Sequence, residues 1–449
     1  MKTNDKMNVF KKLKGLWGLL ASITILGMLG LLTTMVSCSE DEEPAILTIV
    51  SIIGTGTDFQ TGSTVEVDLN AITTPTGVPL DVVIKVTFDR DVDPATATSA
   101  NYALIDESDA TVAASVSASG AVVTIDPTED LERGTDYSMT FGMGILAADG
   151  GTFSSADRSF KAAGVKEVVP PNEADMVAYW NFDGDANDKV GSFNPSAEIA
   201  ITYNDDRHGQ PESAAYFDGN TSIIEFPNGS SLINSGDVTI SFWLKTNTSG
   251  HVNADGNPTG MFVFGLGAFM GIQYEIFGDY AGSKFAIGYE NEAGVTFSED
   301  MWFPNEATDN TNGGWQGWTY AKSLGVSEMQ GIIKDKWYHV IYSFDGTTRV
   351  ATLYFNGELM KSYDFNLWND GDDQQTASAL KYRGAEPDVK DELAFGFVHS
   401  RGGTMWDDEP WGGYDFTTAN HFKGWLDDFR IFHAAYSAED ASSLYNDEN

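Results

Sequence analysis

The sequence predicts an all-β protein built from two β-sandwich domains. Short runs rich in β-branched and aromatic residues recur along most of the chain, and Gly, Asp, Asn and Pro separate them. Helical periodicity is found only near the carboxyl end, where Ser437 is predicted to cap a short helix through Tyr445. With 449 residues, 42% of them hydrophobic and 12% aromatic, the chain can bury more than one large core.

The charge of the chain excludes several classes of partner. Lys and Arg number 26 and Asp and Glu number 66, which gives a formal net charge of −40. Nucleic-acid binding depends on a basic surface, so a nucleic-acid partner is excluded. The single cysteine excludes an intrachain disulfide framework and a multi-thiolate metal site.

The amino terminus is predicted to be a secretory signal over residues 1–37. Lysines precede an uncharged apolar stretch at 15–36, and the sole cysteine, Cys38, follows it. Residues 35–38, Met-Val-Ser-Cys, resemble the lipobox of bacterial lipoproteins, with Met where Leu is more usual. The acidic segment 38–45 resembles the tether of lipoproteins on the outside of glycan-utilising Gram-negative bacteria. These resemblances imply a lipid on Cys38 that anchors the protein in the outer membrane, facing the exterior. An uncleaved membrane-spanning anchor is the alternative.

Residues 46–163 are predicted to form the first sandwich. Its clearest strands are predicted over 46–53, 82–88, 121–125 and 137–141. The segments 88–94 and 131–137 resemble the Ig-like domains of bacterial exported proteins, which implies a spacer. Residues 164–175 contain paired prolines and are predicted to be an extended linker.

Residues 176–449 are predicted to form one large β unit. Its antiparallel strands are numerous enough to predict two stacked sheets, a jelly roll. The predicted strands are 176–182, 222–226, 238–245, 261–264, 284–289, 337–344, 350–355, 393–398 and 424–432.

Six segments of this unit resemble, in order and spacing, the concanavalin A-like, laminin G-type domains. They are 178–183, 215–220, 238–245, 336–340, 353–357 and 424–432. The resemblance implies a concanavalin A-like jelly-roll sandwich. It does not specify one activity, because this fold carries lectins, glycosidases and adhesion modules alike.

A structural calcium ion is predicted between the first and last strands of this unit. Alternation along the last strand places Asp427 on the core-facing side, where a carboxylate needs a compensating partner. Domains of this type often hold calcium there, and the matching positions are Asp183 and Asp427, with Asn220 as a weaker ligand and Asp428 as a substitute. The alternative is that Asp427 accepts hydrogen bonds from Arg430 or from backbone amides.

Aromatic residues concentrate in predicted polar loops, which indicates glycan binding. Trp243 and Trp337, by contrast, fall in predicted strands and are expected in the core. Sugar rings present apolar C–H faces that stack on aromatic planes, while nearby Asp and Asn bind hydroxyls. Loops folded back over a sheet are the alternative. The candidate glycan-binding residues are Trp302, Trp315, Trp318, Tyr320, Trp406, Trp411 and Tyr414.

No pattern of catalytic residues is recognised in the sequence. The Glu-x-Asp-x-x-Glu run of laminarinase-like glycosidases and the His-Glu-x-x-His zinc motif are both missing. We therefore expect a cell-surface lipoprotein that binds polysaccharide or glycoprotein glycans without catalysis and passes them to a neighbouring glycan-uptake complex. The alternatives are a protein-adhesion or scaffolding module, and a glycosidase with an unrecognised carboxylate pair.

Overall fold

The computed structural model describes residues 45–59, 61–71, 73–253, 255–304 and 318–449. The described residues form two sandwiches with separate hydrophobic cores, one from Leu47 to Ala162 and a larger one from Ala178 to Ile431. Within these ranges no helix is long and apolar enough to cross a membrane. The predicted signal, residues 1–37, and Cys38 lie outside the described residues.

The first sandwich has eight strands in two sheets, with the orders β2-β1-β3-β6-β5 and β4-β7-β8. Their alternating apolar side chains meet between the sheets, where Tyr102 packs edge-on against Phe88 and Phe141. The strands are β1 Ile49–Thr57, β2 Thr64–Asp68, β3 Val83–Phe88, β4 Tyr102–Asp106, β5 Ala114–Ser119, β6 Val122–Pro127, β7 Asp136–Phe141 and β8 Ala156–Lys161.

The second sandwich stacks a nine-stranded sheet on an eight-stranded sheet. Its strands are β9 Met176–Trp180, β10 Ala197–Ile199, β11 Thr202–Asn204, β12 Ala214–Asp218, β13 Ile223–Pro227, β14 Asp237–Thr246, β15 Met261–Leu266, β16 Ile272–Ile276, β17 Ser283–Asn291, β18 Thr296–Phe303, β19 Trp318–Ala321, β20 Trp337–Asp345, β21 Val350–Phe355, β22 Glu358–Asp364, β23 Ala377–Leu380, β24 Glu392–Phe395 and β25 Lys423–Phe432. One sheet runs β11-β12-β25-β14-β20-β21-β22-β19, with β9 also paired to β25. The other runs β10-β13-β24-β15-β16-β17-β18, with β23 also paired to β17.

Aromatic side chains fill the space between these two sheets. Phe395 lies at the centre of this packing, with its ring centroid 4.5 Å from Phe429, 5.1 Å from Phe226 and 5.2 Å from Trp180. Interlocked edge-to-face and tilted rings of this kind fix the distance between the sheets. Since both sheets point apolar side chains inward, their outer faces are the surfaces left for binding.

In the described part of the chain three α-helices accompany the strands: α1 Ser230–Ile233, α2 Val326–Ile333 and α3 Ala438–Glu448. The predicted cap of α3 is confirmed, because the Ser437 hydroxyl accepts a hydrogen bond from the Asp440 amide at 3.2 Å. The prediction of helix only near the carboxyl end is wrong. α2 has just two buried apolar residues, Met329 and Ile333, so the repeat is too short to stand out in the sequence. Short 3-10 helices lie at Pro94–Thr96, Glu173–Asp175, Ala268–Met270, Phe365–Leu367 and Asp373–Thr376.

A bulge in β25 reverses the predicted orientation of Asp427. Asp427 and Arg430 lie three positions apart on β25 but pair with β14 residues only two positions apart. The extra residue is accommodated at Asp428, whose φ is +47°. Leu426 and Phe429 therefore both enter the core, and Asp427 turns to the outer face of the nine-stranded sheet.

Candidate functional site

The loop between residues 399 and 421 folds back over the outer face of the eight-stranded sheet. It closes a small second core in which Trp406 and Tyr414 are partly buried beside Phe397. The Tyr414 hydroxyl donates a hydrogen bond to the Thr221 carbonyl at 2.6 Å. Trp406 and Tyr414 were predicted to bind glycan, but they lie in a loop that folds back over the sheet, which was the alternative. Part of each ring stays accessible.

The close approach of the chain to this sheet depends on Gly265 in β15. A Cβ atom at this position would lie 2.0 Å from the Val398 carbonyl oxygen, so a side chain would push the chain at Val398 off the sheet. Residues 399–421 follow directly, and Trp411 keeps 38% of its surface exposed at their outer edge.

Trp411 and Trp302 lie at the two ends of one cross-strand row. Trp411 contacts Phe262 of β15, with ring centroids 6.2 Å apart. From Phe262 the row continues through directly paired residues on β16, β17 and β18, namely Glu275, Lys284 and Trp302. Three strand spacings separate Phe262 from Trp302, which amounts to about 14 Å. Trp302 is 41% exposed. We call this surface the Trp302–Trp411 face.

Charged and amide groups form the floor of the Trp302–Trp411 face. The Lys284 ammonium lies 3.3 Å from both the Glu275 and the Asp300 carboxylates, and 4.8 Å from the centroid of the Trp302 ring. Burial raises the pKa of Glu275, although Lys284 opposes this effect. Gln273 donates to Glu275 at 3.1 Å, while its buried Oε1 finds no partner among the described residues. An unsatisfied buried acceptor of this kind carries a desolvation cost.

Tyr320, another predicted aromatic ligand, lies on the nine-stranded sheet. β19 pairs with β22, and its Tyr320 is 41% exposed. The Lys361 ammonium donates to the Trp302 carbonyl at 2.8 Å, which brings the β22 edge beside β18. The Trp318 backbone pairs with Tyr363 in β22, whereas Trp315 lies outside the described residues.

Asp183 and Asp427, the two principal calcium candidates, do come together in space. Both line a cleft of about 1080 Å³ that is also lined by Arg133 of the first sandwich and Lys166 of the linker. Asn220 does not join them. Its amide is held by Asp218, which pairs with Lys423, four residues and therefore about 13 Å along β25 from Asp427.

Arginine side chains occupy the position predicted for the cation. One guanidinium nitrogen of Arg207 donates to Asp427, and another donates to Asp428 at 2.6 Å. Arg430 donates to Asp428 at 3.1 Å and also to Glu448. Within the described residues no group of three His, Cys, Asp or Glu side chains is arranged to hold a metal. The residues as arranged do not fit the predicted calcium site, because Arg207 already supplies the positive charge.

The buried charges of this cluster are unequal in number. Three carboxylates, those of Asp427, Asp428 and Glu448, face the two guanidinium groups of Arg207 and Arg430. Burial and the neighbouring Asp428 raise the pKa of Asp427. Burial acts in the same direction on Asp428, but Arg430 and Arg207 outweigh it and lower the pKa of Asp428. Burial and Asp428 thus favour the protonated form of Asp427, whereas Arg430 and Arg207 favour the ionised form of Asp428.

A second aromatic row, on the nine-stranded sheet, was missed in the sequence. Trp337, expected in the core, is only partly buried on the outer face. It pairs through Lys245 with Trp425 and Tyr216 on successive strands. Trp243 is buried as predicted, but under α3, where its indole donates to Glu448 at 2.7 Å. The available signal was the alternation of Trp425 with the core residue Leu426.

Two sandwiches with these topologies define a two-domain β protein with a lectin-like jelly roll. Residues 67–162 match the model of the bacterial Ig-like domain family, and residues 218–395 match that of the concanavalin A-like lectin/glucanases superfamily. The chain therefore carries a bacterial Ig-like domain followed by a concanavalin A-like domain of laminin G type. This confirms the Ig-like and the laminin G-type resemblances.

Solved structures with some similarity include three toxin binding domains. The botulinum neurotoxin type G receptor binding domain shares 14% identity over 61% of this chain and 51% of that chain, with a TM-score of 0.35. The binding domain of Paraclostridial Mosquitocidal Protein 1 shares 15% identity over 61% of this chain and 52% of that chain, with a TM-score of 0.39. The botulinum neurotoxin serotype D ligand binding domain in complex with N-acetylneuraminic acid shares 14% identity over 61% of this chain and 50% of that chain, with a TM-score of 0.36. The chain spans about half the length of these domains. No curated protein matches it in sequence.

Proposed function

We propose that this protein binds glycan chains, without cleaving them, on the Trp302–Trp411 face. The observation that carries the proposal is that two exposed indoles lie at opposite ends of one polar cross-strand row. Indole faces are suited to the apolar faces of sugar rings.

The polar floor supplies the other half of sugar recognition. Between the two indoles the Glu275 and Asp300 carboxylates can accept hydrogen bonds from hydroxyl groups, and the Lys284 ammonium can donate them. A span of about 14 Å accommodates several linked sugar units rather than one. Because Lys284 forms ion pairs with both carboxylates, they serve better as fixed binding groups than as an acid and base pair.

Attachment to the cell surface is the second part of the proposal and rests on the sequence. The lipobox-like residues 35–38 and the acidic segment after Cys38 support a lipid-anchored protein that faces the cell exterior. In that position a glycan-binding protein would hold polysaccharide for a neighbouring uptake complex. Mass spectrometry of the protein extracted from membranes tests this part: a mature chain that begins at an acylated Cys38 is the expected result. An unacylated chain that still carries residues 1–37 would instead indicate a spanning anchor.

The glycan proposal is tested by affinity electrophoresis in gels that contain polysaccharides of different types. The unmodified protein should be retarded by at least one of them, and the Trp302→Ala, Trp411→Ala double variant should bind that polysaccharide about tenfold more weakly. Phe59→Ala, which removes a comparably exposed ring from the Ig-like domain, is the matched control and should be retarded normally.

Other outcomes would overturn the proposal in distinguishable ways. Full retardation of the correctly folded double variant would exclude the Trp302–Trp411 face. Failure of every glycan together with capture of a protein ligand would favour adhesion. Release of reducing sugar would establish a glycosidase.

A further inference from the structure

We propose that the nine-stranded sheet carries a second glycan-binding surface, the Trp337–Trp425 row. The row consists of Trp337, Lys245, Trp425 and Tyr216, and its ligand would be a linear, uncharged glycan chain. This inference rests on the proposed function, because it assigns the same kind of ligand to a separate surface of the same domain.

The strand register places these four side chains in one line. Trp337 of β20 pairs with Lys245 of β14, Lys245 pairs with Trp425 of β25, and Trp425 pairs with Tyr216 of β12. Directly paired residues point to the same side of a sheet, so the row spans three strand spacings, or about 14 Å. The neighbouring Leu426 is a core residue, and the row therefore faces outward.

Hydrogen bonds and ring contacts hold the row in position before any ligand binds. The Trp425 indole nitrogen donates to the Asn204 side chain at 3.1 Å, and the Tyr216 ring lies 4.8 Å from the Trp425 ring. The Asn247 amide donates to the Tyr216 hydroxyl at 3.4 Å. Rings that are already ordered lose little conformational entropy on binding, which favours affinity.

The surface also has a suitable concave shape. Trp337, Trp425 and Lys245 line an open pocket of about 390 Å³, within the usual range for small-ligand sites. The Lys245 ammonium lies 4.9 Å from the centroid of the Trp425 ring, and no ion pair of Lys245 occurs among the described residues. Since α3 covers another part of this outer face, packing Leu444 with Ile341 and Tyr354, the row lies on the part that the helix leaves accessible.

The polar groups around the pocket favour an uncharged chain. Asp205 and Glu212, both exposed, line the pocket together with Asn204. These carboxylates accept hydrogen bonds from hydroxyl groups but repel the carboxylates or sulfates of acidic glycans, as does the net charge of −40. A single lysine does not offset them. The combination of aromatic faces and acceptors therefore fits neutral sugars.

The experiment compares the two surfaces on the full chain with matched double variants. Trp337→Ala, Trp425→Ala is compared with Trp302→Ala, Trp411→Ala and with both pairs combined, using neutral laminarin and mixed-linkage glucan and acidic alginate as probes. Each pair should weaken neutral-glycan binding by about tenfold, the combined variant should abolish it, and alginate should not bind. If Trp425→Ala unfolds the domain, Trp337→Ala alone, checked by its melting temperature, provides the test.

The outcomes separate this inference from the proposed function. Normal binding by Trp337→Ala, Trp425→Ala, with loss in the other pair, would overturn the second surface and keep the first. Loss only in the Trp337 and Trp425 pair would do the reverse. Stronger retardation in alginate than in the neutral glucans would overturn the neutral-chain assignment, and no binding of any glycan would overturn both surfaces.

Discussion

Replacing Arg207 with alanine tests whether this arginine compensates the buried carboxylates of Asp427 and Asp428. The Arg207 side chain is 7% exposed and contacts Asp427 and Asp428, which are 4% and 13% exposed. Its guanidinium carbon also lies 4.7 Å from the centroid of the Trp243 ring, which adds a cation–π contact to the two ion pairs. Arg207→Ala leaves the two adjacent carboxylates with Arg430 alone, and Arg430 also serves Glu448.

The expected loss of stability follows from the burial of these groups. Removing one partner of a buried, hydrogen-bonded ion pair costs about 3–5 kcal/mol, because the remaining charge has no compensation. For a domain of this size, a loss of 1 kcal/mol lowers the melting temperature by roughly 2–4 °C. Arg207→Ala should therefore lower the melting temperature of the jelly roll by roughly 6–20 °C.

Differential scanning calorimetry of the full chain measures this effect. Lys322→Ala, which breaks the exposed ion pair with Glu358, is the control and should cost at most about 1 kcal/mol. Adding Asp427→Asn to Arg207→Ala should restore part of the lost stability, because it removes one unpaired charge. The Arg207→Lys variant should be less stable than the parent protein, since lysine cannot bridge two carboxylates in the same way.

Two results would refute the reasoning. One is an Arg207→Ala protein that melts within about 1 °C of the parent, which would mean that the charge pair contributes little. The other is a parent protein whose melting temperature falls when a calcium chelator is added, which would support the predicted calcium ion at this cluster.

Three further predictions follow from the described contacts. Because the pKa of Asp427 is raised above its ordinary 3.8 by burial and by Asp428, the folded protein keeps a proton that the unfolded chain has lost, and stability falls as pH rises from about 4 through the raised pKa. Asp427→Asn should reduce this fall in urea unfolding curves, and an unchanged pH profile would contradict the assignment. Burial raises the pKa of Glu299 to about 7, so its contribution to stability is lost as pH rises from 4.5 towards that value, and Glu299→Gln should flatten the same curves in this window. Phe395→Ala should destabilise the jelly roll by about 3–5 kcal/mol in urea unfolding, because the ring lies at the centre of the aromatic core, and a cost below about 1 kcal/mol would show that the core refills the space.

Local pattern was sufficient for much of the fold. The strand predicted over 238–245 is β14, Asp237–Thr246, because its apolar residues alternate with period two. The predicted cap at Ser437 also formed as expected, since capping depends on residues only three positions apart. Features set by neighbouring residues in the chain could thus be predicted.

Features set by distant residues could not be predicted in the same way. The bulge at Asp428 depends on how β25 pairs with β14, and it changes the face on which Asp427 lies. Arg207 lies 220 positions from Asp427, and nothing in its local sequence indicates a buried ion pair. Trp337 begins a strand that is buried on both faces further along, one by the other sheet and part of the other by α3, so its own partial exposure could not be predicted from the sequence.

The charge cluster also joins the beginning of the jelly roll to its end. A pulling force transmitted from the Ig-like domain enters this sandwich at Met176, in β9, which pairs with β25. In β9, Tyr179 donates to Asp428, and Arg430 donates in turn to Tyr179 at 3.0 Å. Peeling β9 away would have to break these contacts together with the strand pairing. These contacts would therefore resist the separation of β9 from β25 if the chain were placed under tension.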